Sequence, residues 1–119
     1  MSIAPVRTRE SEALERFLEA AKTLGLTREE QARLLGLALS TYRRRVRSGR
    51  LEPAEVPAAQ FLPDLLHRAE AAFGDPERAR RWLTTRQRIL GARPVELLGD
   101  LKGYHQVEAA LGGAAYGHY

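Results

Sequence analysis

Apolar residues recur three to four positions apart through most of the chain, and this spacing places them on one face of an α-helix. Alternating apolar and polar runs, which are typical of strands, are absent from the sequence, as are the Asn-Gly and Asp-Gly pairs of tight hairpins. The pattern therefore predicts an all-α fold built from several short helices.

Two helices are predicted in the first part of the chain. Ser11 is a candidate cap for the first, which ends at Gly25, a residue type that often terminates helices. Its apolar face would contain Leu14, Phe17, Leu18, Ala21 and Leu24. Thr27 and Glu30 have the spacing of a capping box, in which each side chain satisfies an otherwise unpaired backbone donor, and they open a second helix over residues 28–35.

Prolines interrupt the middle of the chain, at Pro53, Pro57 and Pro63. Proline inside a helix removes a backbone donor and clashes with the preceding turn, so this segment is predicted to be a linker. The predicted organisation is an N-terminal domain at residues 1–52, a linker at 53–62 and a C-terminal domain at 63–119.

The second half is predicted to be a bundle of short helices, the first beginning near Pro63. Gly74 is typical of a helix end, and Asp75 followed by Pro76 is typical of a helix start, because aspartate caps and proline suits the first turn. We expect Gly74 and Asp75 to have this structural role and Trp82 to be the largest buried anchor of the half.

The charge of the chain is concentrated in one place. The formal net charge is +4 and the isoelectric point is about 10.0, which favours a polyanionic partner. Residues 40–51 contain five arginines and no acid, while the remainder of the 119 residues is nearly balanced in total.

The sequence also indicates a compartment. It has no cysteine, which excludes disulfides and thiolate metal sites and is typical of a reducing environment. The N-terminal residues contain no signal-peptide apolar region, and no run approaches the ~20 apolar residues of a membrane span. We expect a cytoplasmic protein without a membrane partner.

Residues 27–49 have the arrangement of a helix-turn-helix, two short helices joined by a glycine-containing turn. Ala32 and Gly36 are four positions apart, so a small side chain lets the helices approach and the glycine lets the chain turn. On a helical wheel, Tyr42 and Val46 fall together on the inward face of the second helix. These four residues are predicted to be structural.

The opposite face of this second helix is basic. Its candidate DNA contacts are Ser40, Thr41, Arg43, Arg44 and Arg47. Arginine bridges phosphates or makes a bidentate contact with guanine in the major groove. An isolated charge run is more often a plain solvated face, but inside a capped helix-turn-helix DNA binding is the favoured interpretation, and a targeting signal is disfavoured.

The stretch LGLALSTYRRRVRSG at residues 35–49 resembles the pattern L-G-V-S-x-S-T-V-x-R-W-L-R-x-G of Xre and related repressors. The resemblance extends over the whole helix-turn-helix. It departs from the family at Ala38 and Leu39, where polar residues that contact bases or phosphates are frequent. This departure leaves open a degenerate domain that serves mainly in assembly.

The second half resembles the C-terminal domain of the Xre/MbcA/ParS antitoxins. Five elements occur in the family's order and spacing: Ala69 with Phe73, Gly74 and Asp75; Trp82 with Leu83; Gly91, Pro94, Leu97 and Leu98; Gly103, Val107 and Leu111; and Gly117. The chain departs from the family at Arg86, where a proline is usual, and in its short tail.

The resemblance implies a partner, a RES-domain toxin of the ADP-ribosyltransferase-like type that consumes NAD. The antitoxin would be the inhibitor and not an enzyme, and it would need no cofactor. In such pairs the end of the antitoxin lies close to the NAD pocket, which implies toxin-binding roles for Tyr116, Gly117, His118 and Tyr119. Two aromatics between small residues suit stacking in a nucleotide cleft, although a frayed terminus is an equal alternative.

Other candidate sites are weaker. His67, His105 and His118 lack the paired spacing of structural zinc sites, so no metal site is predicted. Asp64 and His67 share a helical face, but no serine or cysteine nucleophile accompanies them. The sequence also lacks a phosphate-binding glycine loop of the Walker or dinucleotide type. No small-molecule substrate is expected of an antitoxin that is an inhibitor and not an enzyme.

Three functions remain open at this point. The leading hypothesis is a homodimeric type II antitoxin that neutralises a RES toxin and represses its own operator. The alternative is a stand-alone helix-turn-helix regulator whose C-terminal domain only dimerises. The third is an assembly module with a degenerate helix-turn-helix.

Overall fold

The computed structural model describes residues 7–116, and this part of the chain is helical. Six α-helices occur in it, namely α1 Arg9–Thr23, α2 Arg28–Leu34, α3 Leu39–Ser48, α4 Val56–Phe73, α5 Pro76–Thr84 and α6 Leu101–Ala115. Short 3-10 helices lie at Pro53–Glu55 and Pro94–Leu97. The predicted all-α fold is confirmed, since β-type pairing within residues 7–116 is limited to an isolated bridge between Gln87 and Ala92. None of the described helices is long and apolar enough to cross a membrane.

Helix α1 begins earlier than predicted, because Thr8 and not Ser11 is its cap. The Thr8 hydroxyl accepts a hydrogen bond from the Ser11 backbone N–H at 3.1 Å, and the Ser11 hydroxyl accepts one from the Thr8 N–H at 2.9 Å. The two residues therefore cap the helix reciprocally. Sequence alone could not separate them, since serine and threonine are both good caps.

The predicted linker at residues 53–62 is wrong, because these residues are helical. Pro53–Glu55 form a 3-10 turn, and α4 then runs as one helix of 18 residues with Pro57 in its first turn and Pro63 in its interior. The first turn tolerates proline, since its N–H would have no partner there. Pro63 is the position that the sequence rule predicted to end a helix.

The apolar face of α4 explains why Pro63 does not break it. An interior proline costs about 3 kcal/mol of helix stability, whereas each fully buried large apolar side chain contributes about 1.5–3 kcal/mol. Leu62 and Leu65, on either side of the proline, are both 0% exposed. The buried face of the helix consists of Val56, Ala59, Leu62, Leu65, Leu66 and Ala69. Tertiary burial therefore outweighs the local preference.

Helix α4 joins the two ends of the chain into one core. It packs against α1 from the N-terminal part and against α5 and α6 from the C-terminal part. Buried residues from α1, α3, α4, α5 and α6 form one contiguous apolar cluster. Helix α1 and the C-terminal bundle thus pack on the same helix.

Further contacts connect the helix-turn-helix with the segment before α6. Arg93 pairs with Glu30 at the start of α2, and it also donates to Glu96 at 2.9 Å. A hydrogen bond from the Thr27 backbone N–H lowers the pKa of Glu30, and the Arg93 guanidinium lowers it further. Gly99 lies directly against α2, because a Cβ there would be 2.9 Å from the carbonyl oxygen of Leu34.

Trp82 is not the largest buried anchor. It is only half-buried and packs obliquely on Phe73, with ring centroids 6.1 Å apart. Among the described residues of the second half, the largest fully buried side chains are Leu65, Leu83 and Leu98. On α5 the short Ala79 and Leu83 face the core, and the indole lies at the edge of that face.

The start of α6 packs closely on the chain that precedes it, through Gly103. A Cβ at this position would lie 1.8 Å from the carbonyl oxygen of Leu97, closer than any side chain could be accommodated without moving backbone. Val107 and Leu111, one and two turns further along α6, are 0% and 5% exposed. The glycine of this motif is therefore explained by packing.

We expect Gly103→Ala to lower the free energy of unfolding by about 3 kcal/mol, the upper range for overpacking, because backbone must shift to admit the methyl group. Gly112→Ala is the matched control on the same helix, where a Cβ would meet no atom within 4 Å. It should stabilise the protein by up to about 1 kcal/mol, since alanine favours helix. Urea unfolding of both variants measures the difference, and equal stabilities would contradict the close approach.

Candidate DNA and partner-binding surfaces

Helix α3 is fixed in orientation by a buried hydrogen bond to α2. The Tyr42 hydroxyl donates to Gln31 Oε1 at 2.8 Å, and the Gln31 amide donates to the Leu26 carbonyl oxygen, also at 2.8 Å. Phe17 of α1 meets the Tyr42 ring edge-on, with centroids 6.2 Å apart. Tyr42 is 0% exposed, so its hydroxyl needs this partner and can be satisfied in one orientation of α3.

Burial changes the titration of this tyrosine. Removal from water raises the pKa of Tyr42 to about 12, an effect that the nearby positive charge of Arg28 partly offsets. Arg28 also donates to Gln31 Oε1 at 2.7 Å. No buried side-chain nitrogen or oxygen within residues 7–116 lacks a hydrogen-bond partner.

The turn between α2 and α3 requires its glycine. Gly36 has φ +68°, in the left-handed region, and its N–H donates to the Arg33 carbonyl at 3.1 Å. The N–H of Leu37 donates back to the carbonyl of Ala32 at 3.0 Å, which completes a Schellman motif. Ala32 is buried, and Leu37 and Val46 are half-buried against the core.

A second anchor holds the flank of α3. Arg45 makes a bidentate pair with Glu55, at 2.9 Å from Nε to Oε1 and 3.1 Å from Nη2 to Oε2. Hydrogen bonding to this guanidinium lowers the pKa of Glu55. Arg45 thereby ties α3 to the turn that starts α4, and its guanidinium is already engaged within the protein.

The outward face of α3 contains the predicted DNA contacts. Ser40, Arg43, Arg44 and Arg47 are exposed, and Thr41 is half-buried. The Arg44 guanidinium lies 3.4 Å from the Thr41 hydroxyl. Neither Arg43 nor Arg44 nor Arg47 has a carboxylate partner in the described part of the chain, which distinguishes them from Arg45. The structure thus places three arginines without an ion-pair partner among residues 7–116 on one exposed helix face.

The structure at the start of α3 shows why residues 38 and 39 are apolar. Ala38 is the N-cap and makes no side-chain hydrogen bond to the helix, while Leu39 is half-buried and packs on the core. Leu39 therefore holds the start of α3 against the core. Because Ala38 has no capping group, the first N–H groups of α3 remain available to an anion such as a phosphate.

Gly74 and Asp75 form the junction between α4 and α5 in the C-terminal bundle. Gly74 ends α4, and its N–H donates to the Glu70 carbonyl at 2.9 Å. Asp75 caps α5 by accepting from the Glu77 N–H at 3.0 Å. The two residues lie where the sequence predicted a helix end and a helix start.

The candidate toxin-binding tail lies mostly outside the described residues. Tyr116 follows the last turn of α6 and is 75% exposed. Gly117, His118 and Tyr119 lie outside the described residues.

A second basic region was missed because its charge cancels in the total. Residues 76–93 contain six arginines and one acid, and acids elsewhere in the chain compensate for them. Arg78 lies over the Phe73 ring at 5.2 Å, and Arg93 is paired. The exposed remainder consists of Arg80, Arg81, Arg86 and Arg88. A charge count in short windows would have detected this region.

A depression of about 630 Å³ lies between α1, α4 and α6. Tyr104 at its edge donates a hydrogen bond to Asp64, and burial together with this bond raises the pKa of Tyr104 to about 12. Asp64 also accepts from Arg68 at 3.2 Å. Asp64 and His67 are thus surface residues, with the carboxylate engaged by a tyrosine and an arginine. No group of three or more metal-ligand side chains occurs among the described residues.

Each end of the chain matches the model of a known protein family. Residues 6–56 match the model of the antitoxin Xre-like helix-turn-helix domain. Residues 68–117 match the model of the antitoxin Xre/MbcA/ParS C-terminal toxin-binding domain. No curated protein matched the chain.

The raised pKa values of the two buried tyrosines predict how the stability of the protein changes at alkaline pH. Their pKa is about 12 in the folded state against 10 in water, so they stabilise the fold below pH 10 and this contribution is lost as pH rises towards 12. Each should reduce the free energy of unfolding as pH rises through that window, with a slope on the order of 1 kcal/mol per pH unit for the fully buried Tyr42. Tyr42→Phe should remove one of the two contributions and Tyr104→Phe the other, as followed by urea unfolding between pH 9 and 12. An unchanged profile in Tyr42→Phe would contradict burial of its hydroxyl.

Proposed function

We propose that this chain, whose two ends match an antitoxin Xre-like helix-turn-helix domain and an Xre/MbcA/ParS toxin-binding domain, is an antitoxin that neutralises a RES-domain toxin and represses its own operator. The observation that carries the proposal is the match of both domains on one chain, together with the exposed arginines of α3. The partners are the toxin, operator DNA and a second copy of the chain.

Operator binding is supported by the way α3 is held. Tyr42 and Leu39 anchor its inward side and Arg45 its flank, so the outward side enters a major groove without reorganising. Arg43, Arg44 and Arg47 supply phosphate or guanine contacts, and Ser40 and Thr41 supply shorter hydrogen bonds near the uncapped helix start. A homodimer would place two such helices one turn of DNA apart, about 34 Å, on a palindromic operator.

Neutralisation is proposed to be steric and local. The toxin consumes NAD, and the antitoxin contributes no catalytic group and needs no cofactor of its own. Tyr116 is exposed after the last turn of α6. We propose that Tyr116 and residues 117–119, which lie outside the described residues, enter the toxin's nucleotide cleft. An aromatic side chain stacks there at low entropic cost, because it has two rotatable bonds.

Removal of two α3 arginines should weaken operator binding. We expect Arg44→Ala with Arg47→Ala to lower affinity and to make the log–log salt slope less negative by about 1.8, at roughly 0.9 for each phosphate that is no longer neutralised. The double variant Arg80→Ala with Arg81→Ala removes the same charge from exposed α5 and is the matched control. Fluorescence anisotropy on operator DNA at several salt concentrations measures both. A slope equal to wild type would exclude Arg44 and Arg47 from phosphate binding.

Co-expression with an adjacent RES-domain gene tests neutralisation. We expect a complex that copurifies and cells that retain their NAD. Removal of residues 116–119 should leave the complex assembled, since the helical bundle is intact, but should restore NAD consumption. Undiminished inhibition by the truncated chain would rule out the tail as the blocking element. If no complex forms while operator binding persists, the chain is a stand-alone regulator.

A further inference from the structure

The chain between α5 and the second 3-10 helix forms a tight turn at residues 86–92, here named the Ile89 turn. Its ends are joined by the Gln87 N–H, which donates to the Ala92 carbonyl at 3.0 Å. The N–H groups of Leu90 and Gly91 donate to the Gln87 carbonyl at 3.1 and 2.9 Å. Gly91 has φ +67°, which closes the turn. The backbone of the turn is therefore well defined.

The turn is also fixed to the rest of the bundle. The Gln87 side-chain amide donates to the carbonyls of Trp82 and Thr85, both at 3.0 Å, and so satisfies groups at the end of α5. Leu90 packs inward against the core. Ile89 points outward and is 58% exposed.

A shallow depression adjoins this isoleucine. It measures about 260 Å³ and is lined by Ile89, Leu90, Gln106, Ala109 and Ala110. On α6, Tyr116 follows Ala109 by two turns and lies on the same helical face as Ala109 and Gln106. The surface therefore continues from the Ile89 turn along α6 to the start of the tail.

The chemistry of this surface fits a protein better than a nucleic acid. Protein interfaces place apolar side chains at the centre of the contact and favour arginine over lysine. Here an exposed isoleucine follows Arg86 and Arg88 in the same turn, and both arginines are exposed and have no carboxylate partner among residues 7–116. DNA would engage the arginines and leave Ile89 in water.

We propose that the Ile89 turn, with the Gln106 and Ala109 face of α6, is the docking surface for the toxin. Ile89 enters an apolar pocket of the toxin, and carboxylates around that pocket pair with Arg86 and Arg88. This rests on the proposed antitoxin function, and all these residues lie within residues 68–117, the segment matched by the toxin-binding model. Because the turn is already fixed, docking loses little conformational entropy.

The test compares two exposed apolar residues of the same bundle in the full-length chain. Ile89→Asp should weaken binding to the RES-domain toxin of the adjacent gene by at least roughly 30-fold, as expected of an interface hot spot. Leu101→Asp is the matched control, since Leu101 is 57% exposed at the first position of α6, where an acid suits the helix dipole. It should change the affinity less than about 3-fold. Titration calorimetry with a catalytically inactive toxin measures both.

Each outcome decides between assignments. Wild-type affinity for Ile89→Asp, or equal losses for both variants, would overturn the docking surface. Absence of binding by the wild-type chain would instead overturn the proposed function, and the surface with it. Arg88→Glu adds a charge test, in which weaker toxin binding with normal operator binding supports the proposal. Loss of operator binding with normal toxin binding would identify the turn as a DNA contact.

Discussion

Burial of the apolar face of α4 positions the helices from both ends of the chain. Leu62 and Leu65 are fully buried on both sides of Pro63, so the helix continues through a proline that would interrupt it in isolation. α1 packs on this helix from one end of the chain, and α5 and α6 pack on it from the other. A separate core for each half would be small, because domains of about 60 residues bury a limited fraction of their surface. Sharing α4 removes that limitation.

The shared core separates the side chains that hold the structure from those left for partners. On α3, Tyr42 is buried and bonded to Gln31, whereas Arg43 and Arg47 on the other side remain exposed. In the bundle, Leu90 packs inward while Ile89 stays exposed. Polar groups at the buried positions are satisfied internally, as the bond from Tyr104 to Asp64 illustrates. The surfaces proposed for DNA and for the toxin therefore consist of groups that folding does not use.

Much of the fold could be predicted from local chemistry. The Thr27 and Glu30 capping box, the turn at Gly36 and the stop and start at Gly74 and Asp75 each depend on residues adjacent in sequence. Predictions failed at positions whose structure depends on residues distant in sequence. The linker prediction was wrong because burial of the apolar face of α4 outweighs the cost of an interior proline. The prediction that Trp82 is the largest buried anchor was wrong because Ala79 and Leu83 face the core instead. The second basic region was missed because charges were summed over too long a segment.

The amino-acid pattern alone predicts the all-α class, the helix-turn-helix, the outward arginines of α3 and the likeness of both ends to antitoxin domains. These follow from helical periodicity and capping, which act within one or two turns of chain. Three features follow from tertiary packing instead: α4 is continuous, Arg45 rather than a neighbouring arginine is paired with Glu55, and Ile89 is held outward on a fixed turn. Those outcomes depend on burial and on contacts between residues far apart in sequence, and no local pattern specifies them.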